Sequence, residues 1–479
     1  MDGSTKTFGQ RAGFVFFNEH SDAVWCDTAR LCYKAFAENN VAAHRKDIPM
    51  AEETVSIWLG IDWADRKHRW AMRVDGHTRI MQGELEHTPE AVEEFISSLA
   101  LKYPGQRIAV ALEQSRGALM FMLGKYAHLV LYPIHPNTLD HYRKSVYPSG
   151  AKSDPRDAVL ILEFLCTHTE HLRPFRPDTV ETRTLQLLVE ARREAVDDKT
   201  RYVNRLTAQL KMYFPQVLEW FSTPDTAVVG QLLKKWPTLE QLQQAPAKQV
   251  ARLLQTNHIS ESRIKELAQL IKQAVSAVTD RAVIESRILI IRRIVEQLEV
   301  LRAAIAQHDK SISKLAHSHP DYAIFASLPG AGPVMAPRLI AAFGTQRDRY
   351  ATASALQCYA GIAPVTESSG KQRLVHWRWS CPKFLRQTFH EWAWMSTKKS
   401  KWARGFYDRL RERGKAHHAA VRALSFKWLR IVFRCWKDRL PYDETRYALA
   451  LQKHTISQKP VEIHVKNISG FTTIVGFSC

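Results

Sequence analysis

Apolar positions first gather at Ile57-Trp58-Leu59-Gly60-Ile61, a short run that stops on Asp62. Alternating apolar residues resume at Trp70, Met72 and Val74 and end at Asp75-Gly76, a hairpin signal, and a third run covers 78–85. Three antiparallel strands therefore open the fold. Helical spacing over 89–101 leads into Arg107-Ile108-Ala109-Val110-Ala111-Leu112-Glu113, a buried type of strand that also ends on an acid. A helix over 117–126 and a strand over 129–134 follow. Ser153-Asp154-Pro155-Arg156-Asp157 then reads as a helix start with proline at its first position. The predicted order is β-β-β-α-β-α-β-α, an α/β region.

Asp154 and Asp157 are three residues apart and so share a helix face. Taken singly, each acid has a plain structural account. Asp62 and Glu113 are strand-end acids facing solvent, Asp154 is a helix cap, and Asp157 sits in the favourable first turn. Taken together, four carboxylates held close repel one another unless cations lie among them. Hard oxygen donors suit Mg²⁺ or Mn²⁺. Two such ions roughly 3.5–4 Å apart stabilise both oxygens of a phosphodiester displacement.

From about residue 178 to 320 the pattern changes to long helical segments with little glycine. Over 260–317 apolar residues recur at three- and four-residue spacing: Ile264, Leu267, Leu270, Ile271 and Val275, then Ile288, Ile291, Val295, Leu298, Leu301 and Ile305. That is coiled-coil-like periodicity, and it fits either an intramolecular helical hairpin or a dimerising stalk. Next, Leu328-Pro329-Gly330-Ala331-Gly332 between two helices fits a helix-hairpin-helix element whose glycines admit a DNA backbone and whose free amides face a phosphate. It fits equally a glycine-bearing turn between packed helices. The stretch 359–371, Tyr-Ala-Gly-Ile-Ala-Pro-Val-Thr-Glu-Ser-Ser-Gly-Lys, reads as a loop, where a serine is most simply a turn residue. No histidine and aspartate accompany it to make a hydrolase triad.

Charge changes the picture. The 479-residue chain carries +20 with pI ≈ 9.7, a balance that favours a polyanionic partner such as nucleic acid. Residues 371–439 hold 19 Lys or Arg against 4 Asp or Glu, and 7 of the 13 tryptophans. Some of those rings belong to a core, but cations interleaved with aromatics also suit phosphate contact and base stacking. The seven cysteines, Cys26, Cys32, Cys166, Cys358, Cys381, Cys435 and Cys479, have no CxxC spacing, so neither zinc nor a disulfide framework is implied. With no apolar run of 18 residues and no signal-peptide pattern, a cytoplasmic protein without membrane association is expected.

The ordered set of acids, helical stretch, Leu-Pro-Gly-x-Gly, Ala-Gly-x-x-Pro with a following Ser-Gly, and basic end resembles the DEDD transposases of bacterial insertion sequences, family one hundred and ten. The likeness runs from Ile57 to about Leu440. It implies an α/β ribonuclease H-like (RuvC-like) domain at 50–177 and a helical coiled-coil stalk at 178–320. It further implies a mainly α, basic transposase domain with a helix-hairpin-helix-like element at 321–440. In function it implies a bacterial recombinase that cuts and rejoins the DNA of its own element. Asp62, Glu113, Asp154 and Asp157 would bind Mg²⁺ or Mn²⁺, and Ser369 would form a covalent phosphoserine link to DNA, with Ser368 beside it as the other hydroxyl. A structured guide RNA would pair with donor and target DNA, and the protein would act as a homo-oligomer, dimer or tetramer.

Two segments depart from the family pattern: an N-terminal extension, 1–49, read as an upstream addition before Met50, and a tail, 441–479, that is β-prone after His454. Two other activities also fit the residues: a metal-dependent structure-selective nuclease that uses water, and a nucleic-acid-binding relic without catalysis.

Overall fold

The computed structural model describes residues 55–113, 117–147, 154–370 and 372–447, with backbone alone at 154, 155 and 373. The expectations for 1–49 and for the β-prone end fall outside them. The chain divides after Arg176 into two compact units.

The first unit is a five-stranded mixed sheet with helices. Its strands are β1 (Val55–Asp62), β2 (Lys67–Val74), β3 (Met81–Glu86), β4 (Arg107–Leu112) and β5 (Leu129–Pro133), in the order β3-β2-β1-β4-β5. β1, β2 and β3 pair antiparallel, while β4 and β5 run parallel to β1. The third strand begins at Met81 rather than at residue 78, because the β2–β3 ladder closes at Met72↔Met81 and leaves the connection wider than a two-residue turn. The helices are α1 (Pro89–Lys102), α2 (Ala118–Leu123), α3 (Pro136–Val146) and α4 (Asp154–His168).

Pleat alternation sorts the strands. Ile57, Leu59 and Ile61 share one face with Ile108, Val110 and Leu112, beneath Val92, Ile96 and Leu99 of α1 and Leu119 and Leu123 of α2. Ala109 and Ala111 face the other way, toward Ile161, Phe164 and Leu165 of α4. The three β1 residues are fully buried, worth roughly 1.5–3 kcal/mol apiece. On that second face Gly60 does what no other residue can. A Cβ there would lie 2.6 Å from both the Ala158 carbonyl oxygen and the Leu162 amide nitrogen, so α4 lies directly against the strand backbone.

In the second unit two long helices, α5 (Val180–Tyr213) and α11 (Arg281–His317), run side by side in opposite directions. Leu185 and Val189 pack with Ile312 and Ala316 at one end, and Leu206 and Leu210 with Ile291, Ile294 and Leu298 at the other. Arg192 donates to Asp309 at 3.2 Å between them. An intramolecular helix pair is therefore formed, but 260–317 does not pack on itself: the partner of α11 is α5, and α10 (Glu261–Gln273) ends seven residues before α11. α6 (Gln216–Trp220), α7 (Ala227–Lys235), α8 (Leu239–Gln244), α9 (Ala247–Thr256) and α10 fill the far end.

The rest of this unit is α12 (Tyr322–Ala326), α13 (Gly332–Phe343), α14 (Ala353–Tyr359), a hairpin of β6 (Val365–Ser369) and β7 (Gln372–His376), α15 (Lys383–Ser396), α16 (Lys401–Glu412) and α17 (His417–Asp438). Trp392, Trp428, Trp436, Phe343 and Phe389 are fully buried in a core shared with the near ends of α5 and α11. Asp178, just before α5, is buried, pairs with Arg349, and accepts the Thr345 amide at 2.9 Å and its hydroxyl at 3.0 Å. Burial pushes its pKa up, but Arg349 and Thr345 outweigh burial and hold it below the ordinary carboxylate value.

Two measurements check this packing. Gly60→Ala should destabilise the first unit by about 2–3 kcal/mol, since helix backbone must move to admit the methyl; an unchanged urea midpoint would show that α4 yields freely. Because the folded pKa of Asp178 is depressed, its contribution is present above the unfolded value, ~3.9, and is lost as pH falls from there through the lower folded value. The stability gap between wild type and Asp178→Asn should therefore be large at pH 7 and shrink from about pH 5 downward, followed by denaturation across that range.

Candidate functional site

Asp62 closes β1 and Glu113 directly follows β4. The parallel register Ile61↔Leu112 brings these two positions to one sheet end. Asp62 has the parity of Trp58 and Gly60, and Glu113 that of Ala109 and Ala111, so continued alternation aims both at the α4 side. The Gly60 contact fixes α4 there, with Asp157 one residue before Ala158. α4 begins at Asp154, whose side chain is outside the described residues. Among the described residues no three His, Cys, Asp or Glu side chains close into a metal-binding group.

Asp157 is 3% exposed. Its Oδ1 accepts Arg143 Nε at 3.1 Å, whereas Oδ2 is buried without a partner. An unpaired buried carboxylate oxygen costs about 1–3 kcal/mol or more, and a hard cation is the natural group to meet it. The donor types fit Mg²⁺ or Mn²⁺. Arg143 was not foreseen, because α3, which carries it, was missed. Pro136 at its first turn and Arg143-Lys144 in its last were the available signals.

The turn after Asp62 is also anchored. Buried His68 accepts the Ala64 amide on Nδ1 at 3.1 Å and meets His87 Nδ1 through Nε2 at 2.8 Å. Since Nδ1 accepts, Nε2 carries the proton and donates. Burial, then His87, lowers the His68 pKa to about 4, so the ring is neutral near pH 7.

Ser368 and Ser369 are exposed at the end of β6, where Ser369 pairs with Gln372 across a two-residue turn containing Gly370 at φ +55°. The stretch read as a loop is thus half of a hairpin. The β-prone pair Leu374-Val375 shortly after Gly370 was the overlooked cue. Around Leu328-Pro329-Gly330, the close approach made by Gly330 is internal: a Cβ would lie 2.6 Å from the Met395 carbonyl oxygen, and Pro329 O accepts Trp392 Nε1 at 3.1 Å. Packing accounts for that glycine without DNA. The basic stretch is largely solvent-facing, with Lys398, Lys399, Lys401, Arg411, Arg413 and Arg439 all exposed.

Arg143→Ala should destabilise the first unit by about 3 kcal/mol, because it strands a buried carboxylate. Arg143→Met with Asp157→Asn should recover most of that, since a neutral amide needs no counter-charge. Urea titration of the three proteins checks both; a double variant as weak as the single one would contradict the pairing account.

Residues 59–215 match the model of the DEDD transposases of IS110, described as a transposase, and residues 322–408 match the model described as the IS116/IS110/IS902 family of transposases. The chain is 28% identical to the IS117 mini-circle protein of Streptomyces coelicolor over 83% of its own length and 98% of that protein's. It is 24% identical to a 42 kDa protein of insertion element IS900 from Mycobacterium paratuberculosis, over 81% and 97%. It is also 24% identical to a 44.8 kDa protein of insertion element IS116 from Streptomyces clavuligerus, over 80% and 95%. Among the described residues no helix is long and apolar enough to cross a membrane. The first matched region runs from the first unit through α5 of the second, the other lies wholly in the second unit, and the chain belongs to the IS110 family of transposases, enzymes of insertion elements.

Proposed function

We propose that this transposase moves its element by metal-assisted serine chemistry on DNA, with Asp62, Glu113, Asp154 and Asp157 as the metal-holding acids and Ser369 as the nucleophile. The observation that carries the reading is the convergence of β1, β4 and the start of α4 on one sheet end, with a buried Asp157 oxygen left unpartnered. The strand order, three antiparallel strands followed by two parallel ones with an acid after the first and the fourth, supports a RuvC-like domain.

Bound among these carboxylates, Mg²⁺ or Mn²⁺ would supply charge where it develops on the attacking and leaving oxygens. The chain's own residues do the rest. Arg143 and the α4 packing hold Asp157 in place, and His68 fixes the turn behind Asp62. Ser369, exposed at a hairpin end, can approach a phosphodiester from solvent. Its Oγ–P bond forms as the P–O bond to the departing deoxyribose breaks, so the number of phosphoesters is conserved and the strand can be rejoined without outside energy. Sequence choice rests with a structured RNA that pairs with donor and target DNA, while the exposed cations of 371–439 meet backbones. The active form is a homo-oligomer.

The deciding experiment incubates purified protein, element-end RNA and labelled donor DNA with Mg²⁺ and looks for a denaturant-resistant protein–DNA adduct. Wild type and Ser368→Ala should give it. Ser369→Ala should give none, Asp62→Ala should lower its rate at least about a hundredfold, and leaving out the RNA should abolish it. Metal-dependent cleavage with no adduct in any variant would instead establish a nuclease that uses water.

A further inference from the structure

The seven tryptophans of the basic stretch do not share one role. Trp392, Trp428 and Trp436 are fully buried, and Trp394 and Trp402 pack against the same core. Trp377 and Trp379 stand apart, in the segment that follows β7. Trp379 is 77% exposed, a large apolar area to leave in water. It is not loose: its ring stacks on Trp377 with centroids 6.1 Å apart and planes 27° from parallel.

Trp377 is itself backed by cations. The Arg422 guanidinium lies 3.3 Å from its ring centroid and Arg386 lies 5.3 Å away. Arg386 also donates to the Arg378 carbonyl at 3.3 Å, which the Cys381 thiol shares, so the peptide between the two tryptophans is held in position. Among the described residues none of Arg378, Arg386 and Arg422 has a carboxylate partner. The Nε atoms of Arg378 and Arg422 and the Trp377 indole nitrogen are buried without acceptors. Burial, then Arg386, pulls the Arg422 pKa down to about 10, as for a cation lacking its counter-ion. A rigid exposed indole beside three uncompensated guanidiniums is a poor solution for a folded surface alone. It is complete when a flat aromatic ligand that carries an anion covers it.

We propose that Trp379 is a stacking platform for an unpaired nucleic-acid base, with the Arg378, Arg386 and Arg422 cluster neutralising the flanking phosphates. A paired base inside a duplex has both faces occupied, so only a single strand, a flipped base or a frayed end offers the face an indole needs. The platform also has a place relative to the serine. Val365↔His376 is the first pair of the hairpin and Ser369↔Gln372 the last, so the serine end lies roughly 13 Å along the strands from the start of the Trp377 segment. That is about four stacked base steps at ~3.4 Å. An unpaired base held there would fix the register of the strand presented to Ser369. This role rests on the strand-transfer reading above, yet binding alone reports it.

The test is fluorescence anisotropy with the full chain and a labelled single-stranded DNA, a single-stranded RNA and a paired duplex of the same sequence. Trp379→Ala should weaken binding to both single strands about 5- to 100-fold and leave the duplex within about twofold. Trp379→Phe, which keeps a flat ring, should retain most of the affinity. The binding is read without Mg²⁺ and needs no strand cleavage, so a failure of the serine chemistry is distinguishable from a failure of the platform. A loss on one strand type alone assigns the base to DNA or to RNA. Equal losses on strands and duplex, or unchanged binding by Trp379→Ala, would overturn the proposal. Unfolding curves are expected to match, as the ring is mostly exposed; if Trp379→Ala unfolds early, Trp379→Phe against Trp379→Leu decides, since both fill the space and only one stacks.

Discussion

The contact on which the first unit depends is that between the Gly60 backbone and the backbone of α4 from Ala158 to Leu162. A helix normally stands off a sheet by the length of the side chains packed between them. Removing the side chain on the strand lets the helix settle onto it. The acids gain their neighbourhood from that approach: Asp62 follows Gly60 by two residues, on the same pleat face, and Asp157 precedes Ala158 by one. The parallel pairing of β1 with β4 adds Glu113. Since α4 rests on β1 and β2 through backbone and small side chains, its position is set by hard contacts and not by flexible ones.

Within this region, much was legible in the sequence because alternation and acid-terminated runs are local signals. β1, β4 and β5 end within a residue of where the pattern stops, and the helix at Asp154 begins where the proline indicates. The misses share a cause. α3 is polar, with Leu139 its one buried side chain, so it lacks the apolar stripe that marks a helix, and Arg143 was hidden with it. β6 is exposed along nearly all its length, so its residues look like loop residues. The two helices α10 and α11 keep compatible apolar spacing across the break at 274–280, and spacing alone does not register a break. Which helix pairs with α11 is a long-range fact: the answer, α5, lies about a hundred residues upstream. The role of Gly330 stayed open in the sequence because a glycine that admits a close neighbour does not say which neighbour.

Charge is handled oppositely in the two units. In the first, an acid buried at a sheet end is answered by one internal guanidinium that reaches one of its oxygens. In the second, buried cations inside the fold are answered internally, as Arg338 is by Glu391 and Arg347 by Asp321, while those around Trp377 are not. The distinction separates charges that belong to folding from charges left for something else.

The hairpin of α5 and α11 has one more consequence. Its two ends carry separate apolar clusters, one built with Val189 and Ala316 and one with Leu206 and Leu298. From Val189 to Leu206 is 17 residues, roughly 25 Å of helix, with Arg192 and Asp309 pairing just beyond the near cluster. The chain leaves the near cluster and returns to it at the same level, so everything from α6 to α10 is an excursion that closes on itself. Such an architecture is modular in the evolutionary sense: the far cluster can lengthen, shrink or be exchanged among relatives while the near core, with its tryptophans and its hairpin, keeps its geometry.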